Sequence, residues 1–163
     1  MAGVRSLSRN REETVVGARS YLVTGGTGFI GAALVRRLVA DGFSVRVLDD
    51  ESRGAVGRLA DLGDGFEFVA GDVRDAGTVA RAVRGVDGVF HLAAVNGTEF
   101  FYSKPELVLD VGVKGMLNVV DACRAEDVGE LILASSSEVY QTPPTVPTDE
   151  TAPLVVPDPM NAR

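Results

Sequence analysis

Three glycines spaced three residues apart, Gly25, Gly28 and Gly31, lie between a short β-rich run and a helical pattern. Glycines at such a turn let the backbone approach a diphosphate closely, and the helix N-terminus that follows presents N–H groups to an anion. Asp49 ends the next β-rich run, where a carboxylate can accept hydrogen bonds from the ribose hydroxyls of adenosine. Together these features predict dinucleotide binding. A P-loop is excluded, because no Lys-Ser or Lys-Thr pair follows the turn.

The rest of the chain alternates β-rich runs with helical patterns. This order predicts an α/β fold, a Rossmann-like doubly wound parallel sheet of about five strands in the order 3-2-1-4-5, with helices on both faces. The predicted strands are 20–24, 44–48, 66–70, 86–92 and 130–134, and the predicted helices are 28–40, 76–84 and 105–125. We expect Gly42 to end the first helix and Asp75 to cap the second.

Composition narrows the class of protein. Hydrophobic residues make up 45% of the chain and charged residues 24%, as in ordinary soluble domains. The net charge of -7 argues against a nucleic-acid partner. No apolar run is long enough for a membrane span, and the N-terminus lacks the apolar core of a secretory signal, so a cytoplasmic location is expected. One histidine and one cysteine cannot assemble a zinc site or an internal disulfide, so no metal is expected.

Three consecutive acids follow the second predicted strand: Asp49, Asp50 and Glu51. Their charge would repel the 2′-phosphate of NADP, which favours NAD, although Arg53 nearby acts in the opposite direction.

The predicted helix 105–125 is apolar around nearly its whole circumference. One stripe consists of Leu109, Val113, Met116, Leu117 and Val120. A helix of this kind covers the sheet on one side and something else on the other. The sequence leaves two interpretations of the second contact: the chain's own C-terminal tail packs on this helix, or a second copy of the chain packs on it in a homodimer.

Four motifs in order carry a resemblance to a known family. They are residues 24–31 (TGGTGFIG), 71–75 (GDVRD), 91–94 (HLAA) and 135–140 (SSSEVY). Together they resemble the extended short-chain dehydrogenase/reductases, the NAD-dependent nucleotide-sugar epimerases and dehydratases. The resemblance spans residues 20 to about 150.

The resemblance implies a role for each motif. Backbone groups of Phe29 and Ile30 would contact the diphosphate, Asp72 and Val73 would hold the adenine, and residues 92–94 would line the cofactor. Ser136 would be the catalytic hydroxyl that bonds to the reacting sugar hydroxyl. The candidate cofactor-binding residues are Gly25, Gly28, Phe29, Ile30, Gly31, Asp49, Asp50, Ser52, Asp72, Val73, Leu92, Ala93, Ala94 and Ser135, and the candidate catalytic residues are Ser136 and Glu138.

The chain also departs from the family pattern. The family's base is the tyrosine of a Tyr-x-x-x-Lys motif, and this motif is absent from the sequence. A phenol needs a neighbouring cation to act as a base near neutral pH, so Tyr140, which has no lysine four residues on, is no substitute. We therefore interpret residues 1–19 as a polar extension and residues 20–163 as the NAD-binding part of a longer enzyme, without its substrate-binding part. The alternative is a non-catalytic dinucleotide-binding module.

Two further departures bear on the reaction and on cofactor contacts. Dehydratases that resemble this chain have an Asp-Glu pair where Ser137-Glu138 stands, so the resemblance favours a 4-epimerase that acts on a nucleotide sugar. A UDP-sugar is the substrate class that the resemblance implies. A decarboxylase or dehydratase on the same scaffold is the alternative. Gly112 stands where the family has an asparagine, which removes one expected side-chain contact near the cofactor.

Overall fold

The computed structural model describes residues 19–155, and its centre is one parallel β-sheet. The strands are β1 (Ser20–Thr24), β2 (Ser44–Asp49), β3 (Glu67–Ala70), β4 (Gly88–His91) and β5 (Glu130–Leu133). Their order is β3-β2-β1-β4-β5, and every pairing is parallel, as predicted. The predicted N-terminal extension, apart from Arg19, lies outside the described residues.

Helices connect the strands. They are α1 (Phe29–Ala40), α2 (Ala76–Val83), α3 (Thr98–Ser103), α4 (Pro105–Leu109) and α5 (Gly115–Ala125), with 3-10 helices at Val56–Leu62 and Ser137–Tyr140. Both predicted helix ends are confirmed: Gly42 has a left-handed backbone with φ of +85°, and the Asp75 side chain accepts a hydrogen bond from the Gly77 N–H.

The structure differs from the sequence prediction at two helices. The predicted helix 105–125 is continuous but contains a π-helical turn, Asp110–Lys114, between α4 and α5. The short helix α3 was not predicted, because none of its residues is buried and it therefore carries no apolar periodicity.

Side chains alternate between the two faces of each strand and fill a core on each side of the sheet. On one side, Tyr21 and Val23 of β1 pack with Val35 of α1. On the other, Leu22 packs with residues of α2 and α5, including Val119. Burial on both faces confirms the doubly wound architecture. Within residues 19–155, no helix has both the length and the apolar character needed to cross a bilayer.

The strand order places a crevice at one edge of the sheet. The chain runs outward from β1 to β2 and β3 and then returns to β4 and β5 on the other side of β1. The loops that leave β1 and β4 therefore diverge at the carboxyl ends of these strands, where ligands bind in open α/β sheets.

Candidate functional site

A cleft of about 750 Å³ crosses the carboxyl ends of the strands. This volume lies within the range of small-molecule and cofactor sites. All of the predicted cofactor-binding residues line it, and so does Ser136; Glu138 does not. The cleft is also lined by residues that the sequence analysis did not select: Leu48, Arg53, Gly54, Arg58, Gly71, Val95, Asn96, Val111, Ala134 and Val139.

The glycine-rich turn forms the middle of the cleft and is tightly packed. Gly25 has a φ of +70°, and a Cβ atom there would lie 2.9 Å from the Ala93 nitrogen of the loop after β4. A Cβ on Gly31 would lie 2.1 Å from the Gly25 carbonyl oxygen. Only glycine fits at these two positions, because each faces backbone atoms that cannot move aside.

The turn leads into the N-terminus of α1, which is open toward the cleft. Among the described residues, no side chain caps this helix, and its first turn contains no acidic residue. The N–H groups of Phe29, Ile30 and Gly31 have no partner within the helix, as at any helix start. These donors and the positive end of the helix dipole fit the negative charge of a dinucleotide's diphosphate.

The three consecutive acids that begin at the last residue of β2 make different contacts. Asp49 is nearly buried, and its Oδ2 and Oδ1 accept hydrogen bonds from the backbone N–H groups of Thr27 at 3.0 Å and Glu51 at 2.8 Å. Glu51 does not line the cleft, and its carboxylate accepts a hydrogen bond from the Val56 N–H. Asp49 and Asp50 alone therefore face the cleft, whereas the sequence analysis treated the three acids as one cluster.

The loop after β3 contributes an ion pair. The Arg74 guanidinium donates to both oxygens of the Asp72 carboxylate, with Nε at 3.0 Å from Oδ1 and 2.8 Å from Oδ2. These hydrogen bonds hold the pKa of Asp72 below its ordinary value. Asn118 of α5, which the sequence analysis missed, fixes the same loop by donating to the Val73 carbonyl at 2.9 Å.

The loop after β4 is held by the buried Thr24 hydroxyl. Its oxygen accepts hydrogen bonds from the N–H groups of Leu92 and Ala93, both at 3.2 Å. Both of its acceptor positions are then used, so its single proton must be donated to Nδ1 of His91, 2.7 Å away. His91 is therefore neutral with its proton on Nε2. Burial, which lowers the pKa of His91, favours the same state.

This arrangement predicts a pH-dependent stability. In the unfolded chain the imidazole has an ordinary pKa near 6.5, whereas the folded value is lower, so the unfolded state binds more protons below pH 6.5. The free energy of unfolding should be constant above this pH and fall by up to about 1.4 kcal/mol per unit as the pH drops toward 5. Urea titrations at several pH values measure it. Since the sequence has a single histidine, His91→Gln should remove the slope between pH 5 and 7, and a slope that persists would contradict the assignment.

The serine run after β5 lies at the far end of the cleft. Ser135 and Ser136 both line it. Ser136 also starts the 3-10 helix Ser137–Tyr140, because its Oγ accepts a hydrogen bond from the Glu138 N–H at 3.3 Å. Glu138 is exposed and lies outside the cleft lining. Ser136 thus lines the cleft, while Glu138 does not.

The amino-acid sequence was compared with models of protein families and with individual proteins. A sequence model of the NAD-dependent epimerase/dehydratase family matches residues 21–162. A UDP-glucose 4-epimerase of Mycolicibacterium smegmatis is 41% identical over 137 residues, which are 82% of this chain and 44% of that protein. A UDP-glucose 4-epimerase of Streptomyces lividans is 35% identical over 145 residues, 87% of this chain and 43% of that protein.

Solved structures agree with the sequence relatives. The UDP-glucose 4-epimerase of Thermus thermophilus in complex with NAD superposes with a TM-score of 0.75 and 35% identity over 83% of this chain and 44% of that one. A dTDP-glucose 4,6-dehydratase from Streptomyces venezuelae with bound NAD gives a TM-score of 0.77 and 33% identity over 83% and 45%. The chain spans less than half the length of these relatives. By its fold, its cleft and the extent of these matches, the chain belongs to the NAD-dependent epimerase/dehydratase family.

Proposed function

We propose that this chain is the NAD-binding part of a nucleotide-sugar 4-epimerase. The observation that carries the proposal is the cleft itself, which brings the residues of four separated sequence motifs to one edge of the sheet. Two sequence relatives of this chain are named UDP-glucose 4-epimerases, and a UDP-glucose 4-epimerase of similar fold was solved with NAD and UDP. A UDP-sugar is accordingly the substrate class we propose.

In this proposal each part of the cleft has one task. The N–H groups at the start of α1 bind the diphosphate, and Asp49 accepts a ribose hydroxyl with the lone pairs that Thr27 and Glu51 leave unused. The loop after β3, with Asp72 and Val73, holds the adenine. Bound NAD would supply a hydride acceptor at C4 of the sugar, and the Ser136 hydroxyl would orient the C4 hydroxyl.

The chain's own sequence contains no Tyr-x-x-x-Lys base. We therefore propose that these residues bind NAD by themselves and that proton transfer needs a base from elsewhere in the natural protein. The exposed position of Glu138 gives no support to a catalytic role for its carboxylate in this chain. A decarboxylase or dehydratase on the same scaffold is the second candidate, since a dTDP-glucose 4,6-dehydratase has a closely similar fold.

Product analysis tests the proposed reaction. The natural protein, with any residues encoded after Arg163, is incubated with NAD and UDP-glucose, UDP-N-acetylglucosamine or a UDP-uronate. We expect the C4 epimer. Release of carbon dioxide or a 4-keto-6-deoxy product would overturn the epimerase in favour of the second candidate. Tight NAD binding without any product would favour the non-catalytic module.

The cofactor preference is tested by calorimetry on the chain. Asp49 and Asp50 line the cleft. The Arg53 guanidinium, the nearby positive charge, donates a hydrogen bond to the Asn96 carbonyl. We expect NAD to bind about thirtyfold more tightly than NADP, since each of the two carboxylates near a 2′-phosphate costs roughly 1 kcal/mol, or roughly 2 kcal/mol together. Asp50→Asn should narrow this ratio without disturbing the Thr27 contact of Asp49, whereas Asp64→Asn on the exposed surface is the matched control. Tighter binding of NADP would refute the preference.

We also propose a homodimer through the helix of residues 105–125. In the described part of the chain the tail does not cover this helix: Leu109, Val113 and Leu117 are 62%, 56% and 57% exposed and lie four residues apart, on one face. In a twofold antiparallel pairing centred on Val113, Leu109 of one protomer faces Leu117 of its partner, so the stripe is self-complementary.

Sedimentation measures the dimer directly. We expect the chain to be dimeric at micromolar concentration, and Val113→Asp to shift it to monomer. Leu154→Asp, which alters a leucine outside the stripe that is 71% exposed, should leave the dimer intact. A monomeric chain at all concentrations would refute the interface.

A further inference from the structure

One side chain bridges the cleft from side to side. Nη1 of Arg53, in the loop after β2, donates to the Asn96 carbonyl, in the loop after β4, at 2.9 Å. Strand β1 lies between β2 and β4 in the sheet. The bridge therefore crosses the carboxyl end of β1, where the glycine-rich turn begins. Both Arg53 and Asn96 line the cleft.

A second contact supports the same bridge. The Arg53 guanidinium carbon lies 4.9 Å from the ring centroid of Phe100, in α3. A guanidinium at this distance is attracted by the negative charge density of the ring face. Lys104 Nζ lies 6.0 Å from the same centroid. Phe100 is half-buried, whereas Arg53 is exposed. The contact with the ring therefore restricts the rotation of the Arg53 side chain in solvent.

The loop that carries Arg53 is anchored to the glycine-rich turn. A Cβ on Gly54 would lie 2.1 Å from the Thr27 Oγ1, so the loop backbone is packed directly against the turn. Asp50 Oδ1 also accepts hydrogen bonds from the Ser52 N–H at 3.0 Å and the Ser52 hydroxyl at 2.6 Å. With the base of the loop fixed, the bridge can open through the Arg53 side chain or the loop before α3.

We propose that Arg53 and Phe100 form a latch that holds the loops after β2 and β4 together over a bound dinucleotide and slows its release. The latch rests on the proposed function, because it requires that a dinucleotide occupies the cleft. A bridge across the mouth of a site acts chiefly on the dissociation rate, since the ligand cannot leave until the bridge opens.

The dissociation rate of NAD from the full chain tests the latch, with release followed by stopped flow after mixing with excess ADP-ribose. We expect Arg53→Ala and Phe100→Leu each to accelerate release about tenfold, which corresponds to about 1.4 kcal/mol. Because both variants open the same latch, the double variant should release NAD no faster than either single one. Arg37→Ala, an exposed arginine of α1 paired with Asp41, is the matched control and should release NAD at the wild-type rate.

The outcomes separate the latch from the other possible roles. If Arg53 acts only through its charge on the diphosphate, Phe100→Leu will release NAD at the wild-type rate, which overturns the latch. If both single variants release NAD faster and their effects multiply in the double variant, the two side chains act independently, which also overturns it. Unchanged release from Arg53→Ala also overturns it and leaves NAD binding standing. Failure of the wild-type chain to bind NAD overturns the latch together with the proposed function. Thermal unfolding without NAD should be nearly unchanged in Arg53→Ala, because the side chain is exposed.

Discussion

Gly31→Ala is expected to lower the free energy of unfolding by about 3 kcal/mol and to weaken NAD binding by about a hundredfold. Gly31 lies in the first turn of α1, where helix propensity alone would favour alanine by about 1 kcal/mol. Packing reverses this preference, because the new Cβ would lie 2.1 Å from the Gly25 carbonyl oxygen and 2.7 Å from the Gly26 Cα. Both contacts are with backbone, so the turn itself must move away from the helix.

Urea unfolding and calorimetry with NAD measure the two effects of Gly31→Ala. Gly57→Ala is the matched control, since no described atom lies within 4 Å of a Cβ at that position and its φ is not positive. It should change the free energy of unfolding by less than about 0.5 kcal/mol. Equal stability of the two variants would contradict the close packing of Gly31 against the glycine-rich turn.

Thr24→Val is expected to cost about 2–4 kcal/mol of unfolding free energy, although the two side chains have nearly the same shape. The valine cannot accept from the partly buried Ala93 N–H or donate to Nδ1 of the buried His91, and Thr24 itself is fully buried. Leu92 is affected less, because its N–H also donates to the Thr24 carbonyl. The loss of these bonds releases the loop after β4, which lines the cleft, so NAD affinity should fall about tenfold.

Thr24→Ser separates the hydroxyl from the methyl group. Serine keeps the three hydrogen bonds and should cost only about 1 kcal/mol for the lost methyl. Unfolding and NAD titration are measured for both variants, together with the imidazole nitrogen shifts of the single histidine. In Thr24→Val we expect the proton to redistribute between the two ring nitrogens. If valine and serine behave alike, the hydroxyl does not hold the loop.

Much of the fold was predictable because it depends on local signals. The apolar runs of the five strands, the cap at Asp75 and the glycine at position 42 are each set by a few neighbouring residues. The strand order followed from the glycine turn and the alternation of strands and helices, and it is confirmed. The short helix α3 escaped prediction, because it buries none of its residues and so has no apolar pattern.

The candidate site divides in the same way. Motif spacing selected residues that the sheet does bring to one cleft, and their roles toward NAD and a sugar stay predictions. Sequence reasoning did not predict the contacts of Arg53, Gly54 and Asn118, whose partners lie far along the chain. The Arg53 partner Asn96 is 43 residues away, and the Asn118 partner Val73 is 45 residues away. Contacts between residues so far apart in the chain leave no pattern in the neighbouring residues from which they could be predicted.

The sequence by itself determined that a glycine-rich turn follows β1 and that an acid ends β2, because these depend on residue type and on position along one segment. Only the tertiary structure decided how they are used. It packs Gly25 against the Ala93 backbone, joins Asp49 to the Thr27 N–H by a hydrogen bond, and places the Thr24 hydroxyl within hydrogen-bond distance of the loop after β4. The physical reason is that backbone conformation is set by neighbours in the chain, whereas a hydrogen bond or a close contact is set by distance in space, which exists only once the parallel strands have paired.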